Sequence, residues 1–223
     1  MMYSWANRPD TRVVDEPMYA YYLKKTGINY HPGTKETLAS LPHDWSQVIE
    51  TLILGPVDKD IYFIKGMAHH YLDDDISFLL QLKNVFLIRN PKQLIASFSK
   101  IIETPTMQDI GLKREWELYQ YLVENGKTPL VLDSNQVLSN PRAVLSAVCS
   151  HLSVPFEEAM LSWPTGPIAE DGAWGPHWYH NVWKSNGWST PDNSKREIRE
   201  DLLPLLEEAQ MYYDLLSERR LKV

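Results

Sequence analysis

VFLIRNPKQLIASFSK, residues 85–100, changes within a few positions from one periodicity to another. Its first half is a short apolar run that ends on Arg89, which is typical of a buried strand. Pro91 then stands where a helix can begin, because proline is favoured at the first helical position. Ser97 follows Arg89 by eight residues, so its hydroxyl lies two turns into the predicted helix. A strand followed at once by a helix indicates an α/β fold.

The rest of the chain repeats this alternation of short apolar runs and longer helical patterns. The strand candidates are residues 11–16, 60–65, 84–89 and 128–133. Helices are predicted at residues 17–26, 44–54, 67–82, 91–103, 107–125 and 141–152, with a last one near 195–219. Nearly continuous apolar runs are typical of parallel strands that helices cover on both faces. We therefore predict a single α/β domain over residues 1–223.

A segment rich in tryptophan interrupts this pattern near the C-terminus. Residues 163–188 read WPTGPIAEDGAWGPHWYHNVWKSNGW and hold five of the eight tryptophans of the chain. Linkers do not carry so much aromatic surface, and no helical or strand period is visible. We predict an irregular cap over residues 163–190 that folds over the sheet within the same domain. This stretch is called the Trp-rich segment below.

Composition excludes several classes of partner. The net charge of −7 argues against a broad nucleic-acid surface, although a small anion pocket remains possible. No apolar run approaches the roughly 20 residues that span a bilayer, and no signal peptide is visible. Cys149, the single cysteine, cannot form an internal disulfide and suits a reducing compartment. We expect a cytoplasmic protein without nucleic-acid or membrane partners, whose oligomeric state the sequence leaves open.

Three strand candidates end on a charged residue, namely Glu16, Lys65 or Arg89. In open α/β sheets, ligands bind beyond the carboxyl ends of the strands, so position alone makes these residues site candidates. The planar donors of Arg89 suit phosphate or sulfate, and the Ser97 hydroxyl could reach the same anion. A structural salt bridge of Arg89 remains the alternative. Glu16 could likewise stabilise the N-terminus of a helix that begins at Pro17.

The order strand, Arg-x-Pro, helix and Ser resembles the 3′-phosphate-binding segment of the sulfotransferases. Three further stretches resemble segments of that family in the same order: ANRPDTRVVDEPMYAYYLKKTG (6–27), IYFIKGMAHHY (61–71) and TPLVLDSNQVLSNPRAVLSAVCSHLSVPF (128–156). The sequence is thus identified as a member of the sulfotransferase family, within the P-loop NTPase-like superfamily. It is most similar to a sulfotransferase-like group labelled branched-chain-amino-acid-aminotransferase-like.

This resemblance implies a donor site for 3′-phosphoadenosine-5′-phosphosulfate (PAPS). Arg89 and Ser97 would hold the 3′-phosphate. Lys184, in the Trp-rich segment, would belong to a loop that closes over the nucleotide. The sulfuryl group would pass to a hydroxyl or amine of a small or carbohydrate-like acceptor, and no metal is expected.

The resemblance also implies a base that takes the acceptor proton. Glu16 matches the position of the base in one branch of the family, and His69 or His70 matches it in another. Adjacent residues on a helix point about 100° apart, so we expect only one histidine to face the site, and spacing favours His70. Lys65 would stabilise charge on the leaving phosphate. The choice among Glu16, His69 and His70 stays open at this point.

One feature of the family is missing from the sequence. Sulfotransferases cradle the phosphosulfate in a loop between the first strand and the first helix, through backbone N–H groups. This chain begins MMYSWANRPD, which resembles the inside of that helix, and contains no G-x-x-x-x-G-K-S/T motif. We therefore expect either a fragment of an enzyme or a non-catalytic nucleotide-binding remnant.

Other functions fit the sequence less well. A kinase or NTPase would use Asp133 to hold magnesium, but it would also need a phosphate loop. Asp73–Asp75 and the pair His177 and His180 lack the spacing of a recognisable metal site. A serine hydrolase would need a G-x-S-x-G elbow, which is absent. No feature of an aminotransferase is visible.

Overall fold

Two pairs of parallel strands organise the computed structural model, which describes residues 1–72, 75–190 and 197–223. Strand β1 (Thr11–Asp15) pairs with β2 (Ile61–Lys65), and the last residues of the two strands are partners. Strand β3 (Val85–Ile88) pairs with β4 (Leu130–Asp133) in the same way. All four strand candidates are confirmed. The predicted α/β fold with parallel strands is also confirmed, with the strands joined in two pairs.

Each strand pair belongs to its own compact unit. The first unit comprises Met1–Leu72 and Phe156–Ser189, and the second comprises Asp73–Pro155 and Thr190–Val223. The prediction of a single domain over residues 1–223 concerns the joining of these units and stays a prediction. None of the helices in the described ranges is both long and apolar enough to cross a membrane.

In the first unit, short helices surround β1 and β2. They are α1 (Met2–Ala6), α2 (Tyr19–Thr26), α3 (Thr34–Ser40), α4 (Trp45–Val48) with a π-helical turn (Ile49–Ile53), 3₁₀ turns at Ala68–His70 and Glu158–Leu161, α10 (Gly175–Trp178) and α11 (His180–Trp183). The core of this unit is aromatic, since Tyr19, Tyr22 and Leu23 of α2 pack against Trp174. The Trp5 ring stacks on Phe63 of β2, with 5.2 Å between ring centroids.

In the second unit, longer helices follow β3 and β4. They are a 3₁₀ turn (Ser77–Gln81), α5 (Pro91–Phe98), α6 (Met107–Ile110), α7 (Leu112–Glu124), α8 (Ser134–Ser139), α9 (Pro141–Leu152), a 3₁₀ turn (Glu200–Leu202) and α12 (Leu203–Ser217). Their core is aliphatic. Ile88 and Val131 of the strands pack with Ile95 of α5, Leu112 of α7 and Leu216 of α12.

Helix boundaries follow local chemistry that periodicity alone did not show. The helix predicted at 107–125 is divided at Gly111, whose φ of 74° ends α6. Of the helix predicted at 67–82, the described residues contain two 3₁₀ turns, and Asp75 accepts a hydrogen bond from the Ser77 N–H at the start of the second. Asp73 and Asp74 lie outside the described residues, as do the first two residues of the helix predicted at 195–219. Helix α3 was not predicted.

The Trp-rich segment is largely irregular, and its two ends pair with each other. Ser162 and Gly187 form an antiparallel bridge, and the Trp163 N–H donates to the Asn186 carbonyl at 3.1 Å. Between these ends lie only the short helices α10 and α11. The Gly172 N–H donates to Asp15 at the end of β1, at 3.1 Å. The segment therefore covers the carboxyl end of the first strand pair.

Candidate functional site

Glu16, the residue directly after β1, has a backbone conformation that residues other than glycine rarely adopt. Its φ is +41°. The Glu16 N–H donates to the Lys65 carbonyl at 2.7 Å, and the Glu16 carbonyl accepts from the Tyr19 N–H at 3.0 Å. These two bonds stop the strand and begin α2 within a few residues. They also leave the Glu16 side chain buried, with 8% of it exposed. Unfavourable backbone conformations of this kind concentrate at functional sites.

Lys65 is the counter-ion of two buried carboxylates. Its Nζ donates to Asp15 Oδ1 at 2.9 Å, to Glu16 Oε1 and to the Tyr179 hydroxyl. An ammonium group has three N–H donors, so this set accounts for all of them. The parallel register causes this meeting, because Asp15 and Lys65 are partners in the last pair of the β1–β2 ladder.

Tyr179 joins this group from the Trp-rich segment. Its hydroxyl lies 2.8 and 2.9 Å from the two carboxylate oxygens of Asp15 and accepts a bond from Trp174 Nε1 at 3.1 Å. The sequence patterns did not identify Asp15, Tyr179 or Trp174 as site residues. For Asp15 a signal existed, since it stands beside Glu16 at the same strand end. For the two aromatic residues there was none, because no motif separates them from their neighbours in the segment.

The two histidines are both buried and have different neighbours. His70 Nδ1 lies 3.9 Å from Glu16 Oε2, and the His70 ring stacks on Tyr19 with 4.5 Å between centroids. His69 packs edge-on against Tyr22, with centroids 5.3 Å apart. The geometry therefore brings Glu16, Lys65 and His70 together in the first unit. This group, with Asp15 and Tyr179, is called the carboxylate cluster below.

Burial and neighbouring charges set the protonation states in the carboxylate cluster. Burial, together with the charge of Asp15, raises the pKa of Glu16, although the attraction of Lys65 works against this. Burial lowers the pKa of His70 well below its ordinary value, and nearby positive groups lower it further. For Lys65, burial alone would lower the pKa, but the two carboxylates raise it overall. At neutral pH the cluster therefore holds a neutral His70 beside a charged Lys65.

The proposed phosphate ligands lie in the second unit, on consecutive elements. Arg89 directly follows β3, and Asn90 caps α5 by accepting from the Gln93 N–H at 3.3 Å. Pro91 occupies the first turn of α5, as expected. Arg89 and Ser97 are both half-buried. Lys184 belongs to the first unit, where it follows α11 and is exposed.

Asp133, the residue that a kinase-like mechanism would need, is engaged in structural hydrogen bonds. It caps α8 by accepting from the N–H groups of Asn135 and Gln136, at 2.8 and 3.3 Å, and it also accepts from the Tyr213 hydroxyl. Within residues 1–72, 75–190 and 197–223, no group of three or more His, Cys, Asp or Glu residues could hold a metal ion.

The first prediction concerns the counter-ion. Replacing Lys65 by alanine leaves the carboxylates of Asp15 and Glu16 buried without a counter-ion. We therefore expect the free energy of unfolding to fall by about 3 kcal/mol or more. Urea denaturation would measure this loss. Lys59→Ala is the control, because Lys59 is exposed and donates to the Pro9 carbonyl at 2.8 Å. A loss for Lys65→Ala no larger than that for Lys59→Ala would contradict the assignment.

The second prediction concerns acid sensitivity. Because the pKa of His70 is lowered in the folded state, the unfolded chain binds this proton more readily. Stability is therefore retained above about pH 6.5 and falls as the pH drops below it, by at most ~1.4 kcal/mol per pH unit. His70→Gln should flatten this dependence in unfolding experiments between pH 5 and 7, whereas His151→Gln, at an exposed site on α9, should not. Equal slopes of the free energy of unfolding against pH for wild type and His70→Gln would contradict this role of His70.

Comparison with known proteins adds family membership to this geometry. The sequence profile described as "Sulfotransferase domain" matches residues 1–220. Two proteins of Arabidopsis thaliana, branched-chain-amino-acid aminotransferase-like proteins 2 and 1, are each 36% identical to the chain over 219 and 217 residues. The alignments cover 98% and 97% of this chain but 37% and 39% of those proteins. The chain thus spans less than two-fifths of the length of these curated relatives.

A solved structure, the sulfotransferase domain from the curacin biosynthetic pathway, is 15% identical with a TM-score of 0.39, and the match covers 88% of this chain and 77% of that one. The resemblance drawn from residues 6–27, 61–71, 85–100 and 128–156 is confirmed by the profile match, which spans nearly every residue. The chain belongs to the sulfotransferase domain family.

Proposed function

We propose that this chain takes part in transfer of a sulfuryl group from PAPS to a hydroxyl or amine of a small or carbohydrate-like acceptor. The observation that carries the proposal is the buried Glu16 carboxylate at the end of β1. Lys65 Nζ donates to Glu16 Oε1, and Glu16 Oε2 lies 3.9 Å from His70 Nδ1. One carboxylate oxygen is thus held, and the other is oriented toward a second polar group.

Glu16 is the base in this proposal. An acceptor hydroxyl placed between Glu16 Oε2 and His70 Nδ1 could give its proton to the carboxylate while its oxygen bonds to sulfur. The bond between sulfur and the 5′-phosphate oxygen breaks, and its electron pair stays with adenosine-3′,5′-bisphosphate. A raised pKa makes Glu16 a stronger base than an ordinary carboxylate, whereas the lowered pKa of His70 makes that imidazole a weaker one. His70 then serves to orient the acceptor.

Arg89 and Ser97 are the proposed ligands of the 3′-phosphate. Support comes from their placement, since Arg89 stands at a strand end and Ser97 on the helix that Asn90 and Pro91 begin. A guanidinium group offers paired donors in the geometry of phosphate oxygens. Lys184, exposed after α11, is proposed to close over the nucleotide. A cytoplasmic location is proposed with it, which suits the buried free thiol of Cys149.

A nucleotide-binding chain without catalysis is the competing function. It predicts binding of adenosine-3′,5′-bisphosphate without transfer to any acceptor. The aminotransferase-like names of the relatives describe proteins of which this chain matches 37% and 39%, so they do not assign that activity to it. The two experiments below separate transfer from binding.

The third prediction tests the base. Glu16→Gln keeps an oxygen for Lys65 but cannot take a proton, so we expect the rate of transfer from PAPS to fall about 100-fold or more. The affinity for adenosine-3′,5′-bisphosphate should stay unchanged. Glu50→Gln, at an exposed position of the first unit, is the matched control and should keep the wild-type rate. Transfer by Glu16→Gln at the wild-type rate would place the base elsewhere.

The fourth prediction tests the phosphate ligand. Arg89→Ala should weaken binding of adenosine-3′,5′-bisphosphate by about 2 kcal/mol, or roughly 30-fold, in calorimetric titration. Arg89→Lys should lose less, because it keeps the charge and loses only the paired geometry. Lys92→Ala removes an exposed cation from the same region and serves as the control. Unchanged binding in Arg89→Ala would remove Arg89 from the site.

A further inference from the structure

The Tyr179 hydroxyl has no remaining capacity for hydrogen bonds. It accepts from Lys65 Nζ and from Trp174 Nε1, which uses both oxygen lone pairs. Its single proton faces the Asp15 carboxylate, whose oxygens lie 2.8 and 2.9 Å away, and Glu16 Oε1 lies within reach of the same proton at 3.3 Å. These partners lie at the ends of β1 and β2 and within the Trp-rich segment, so together they fix the Tyr179 side chain in place beside Glu16.

Asp15 is equally engaged and is almost fully buried. Its side chain is 1% exposed, and it accepts from Lys65, from Tyr179 and from the Gly172 N–H at 3.1 Å. Gly172 and Tyr179 both belong to the Trp-rich segment. The segment therefore supplies two of the three groups that hold Asp15, and Asp15 in turn holds Lys65.

Together these contacts leave Lys65 one position. Its ammonium donates to Asp15 and Tyr179 on one side, so its third proton is directed at Glu16 Oε1. Of the described residues, none donates a hydrogen bond to Glu16 Oε2, whose neighbour is His70 Nδ1 at 3.9 Å. The two oxygens of Glu16 are thereby distinguished from each other by the arrangement around Lys65.

We propose that Tyr179 is a positioning residue that fixes Glu16 Oε1, both by its own contact at 3.3 Å and, with Asp15, through Lys65, and so reserves Oε2 for the acceptor proton. This inference rests on the proposed function, in which Glu16 is the base. It makes the Trp-rich segment part of the catalytic arrangement of the first unit, whereas the sequence assigned that segment only a capping role and a nucleotide contact through Lys184.

The two positioning residues should change the pKa of Glu16 in opposite directions. Tyr179→Phe removes a hydroxyl whose bond to Glu16 Oε1 lowers the pKa of Glu16, so that pKa should rise. Asp15→Asn removes a like charge, so the pKa of Glu16 should fall. The ionisable groups that surround Glu16 and stay in place are Lys65, His70, Tyr19 and Tyr71.

The fifth prediction is tested on the full chain by carbon-13 NMR of its labelled glutamate carboxyl groups. The Glu16 signal is assigned by its loss in Glu16→Gln and titrated in wild type, Tyr179→Phe and Asp15→Asn. Tyr62→Phe is the matched control, because Tyr62 lies on β2 of the same unit and donates to the Leu52 carbonyl at 2.6 Å. We expect an upward shift in Tyr179→Phe, a downward shift in Asp15→Asn and none in Tyr62→Phe.

Enzyme kinetics provide a second measurement. In Tyr179→Phe, kcat for transfer from PAPS should fall about 10- to 100-fold, and the acid limb of the pH profile should move to higher pH. The KM for PAPS should not change. A purely structural role would lower stability and leave the Glu16 titration and the acid limb where they are, and that result would overturn the inference.

The outcomes separate this inference from the proposed function. Opposite shifts of the Glu16 titration in a chain that transfers no sulfuryl group would support the positioning of Glu16 by Tyr179 and Asp15 and would reject the transfer reaction, and with it the use of Oε2 as base. Transfer that depends on Glu16, with a Glu16 titration unchanged in both Tyr179→Phe and Asp15→Asn, would support the transfer reaction and reject the positioning role. The two variants are judged independently, so a folding failure of one leaves the other as the test.

Discussion

The Lys65 ammonium, placed between two buried carboxylates, is the interaction on which the first unit depends. Asp15 and Glu16 are adjacent in sequence and both almost inaccessible to water, and one lysine balances them. Buried carboxylates are costly unless they are paired and hydrogen-bonded. The cost is offset here because every donor of the ammonium is used and the Asp15 carboxylate is fully engaged. The end of the β1–β2 ladder, the start of α2 and the Trp-rich segment all meet at this charge.

Parallel pairing explains why such a cluster can exist. Parallel strands end side by side, so the last residues of β1 and β2 become neighbours although some fifty positions separate them in the chain, as the Asp15–Lys65 pair shows. The second unit repeats the arrangement, with Ile88 beside Asp133 and Arg89 next in the chain. In that unit Asp133 is used to cap α8 and to bind Tyr213, so similar strand ends serve different purposes.

Sequence patterns predicted the strands and the charged strand ends well, because short apolar runs and the residues that follow them are local signals. Glu16, Lys65 and His70 were predicted as site residues and lie together. Tyr179 was missed as a site residue because it meets Asp15 across 164 positions of the chain, whereas Asp15 stands beside Glu16 at a predicted strand end and could have been identified. Gly111 ends α6 through its positive φ, and Asp75 accepts a hydrogen bond from Ser77 at the start of a 3₁₀ turn. Each effect depends on one residue, whereas a helical period is an average over many residues.

The closure of the Trp-rich segment has a consequence for entropy. The Ser162–Gly187 bridge joins the two ends of the segment, and Asp171 in its interior accepts from Trp183 Nε1 at 2.8 Å and from the Tyr3 hydroxyl of α1 at 2.6 Å. A loop tied at its ends and pinned in its interior has few conformations left to lose. Tyr179 therefore loses its conformational entropy when the unit folds, and little of it remains to be lost when a ligand binds. Recognition at the carboxylate cluster can therefore begin from an arrangement that needs little further ordering.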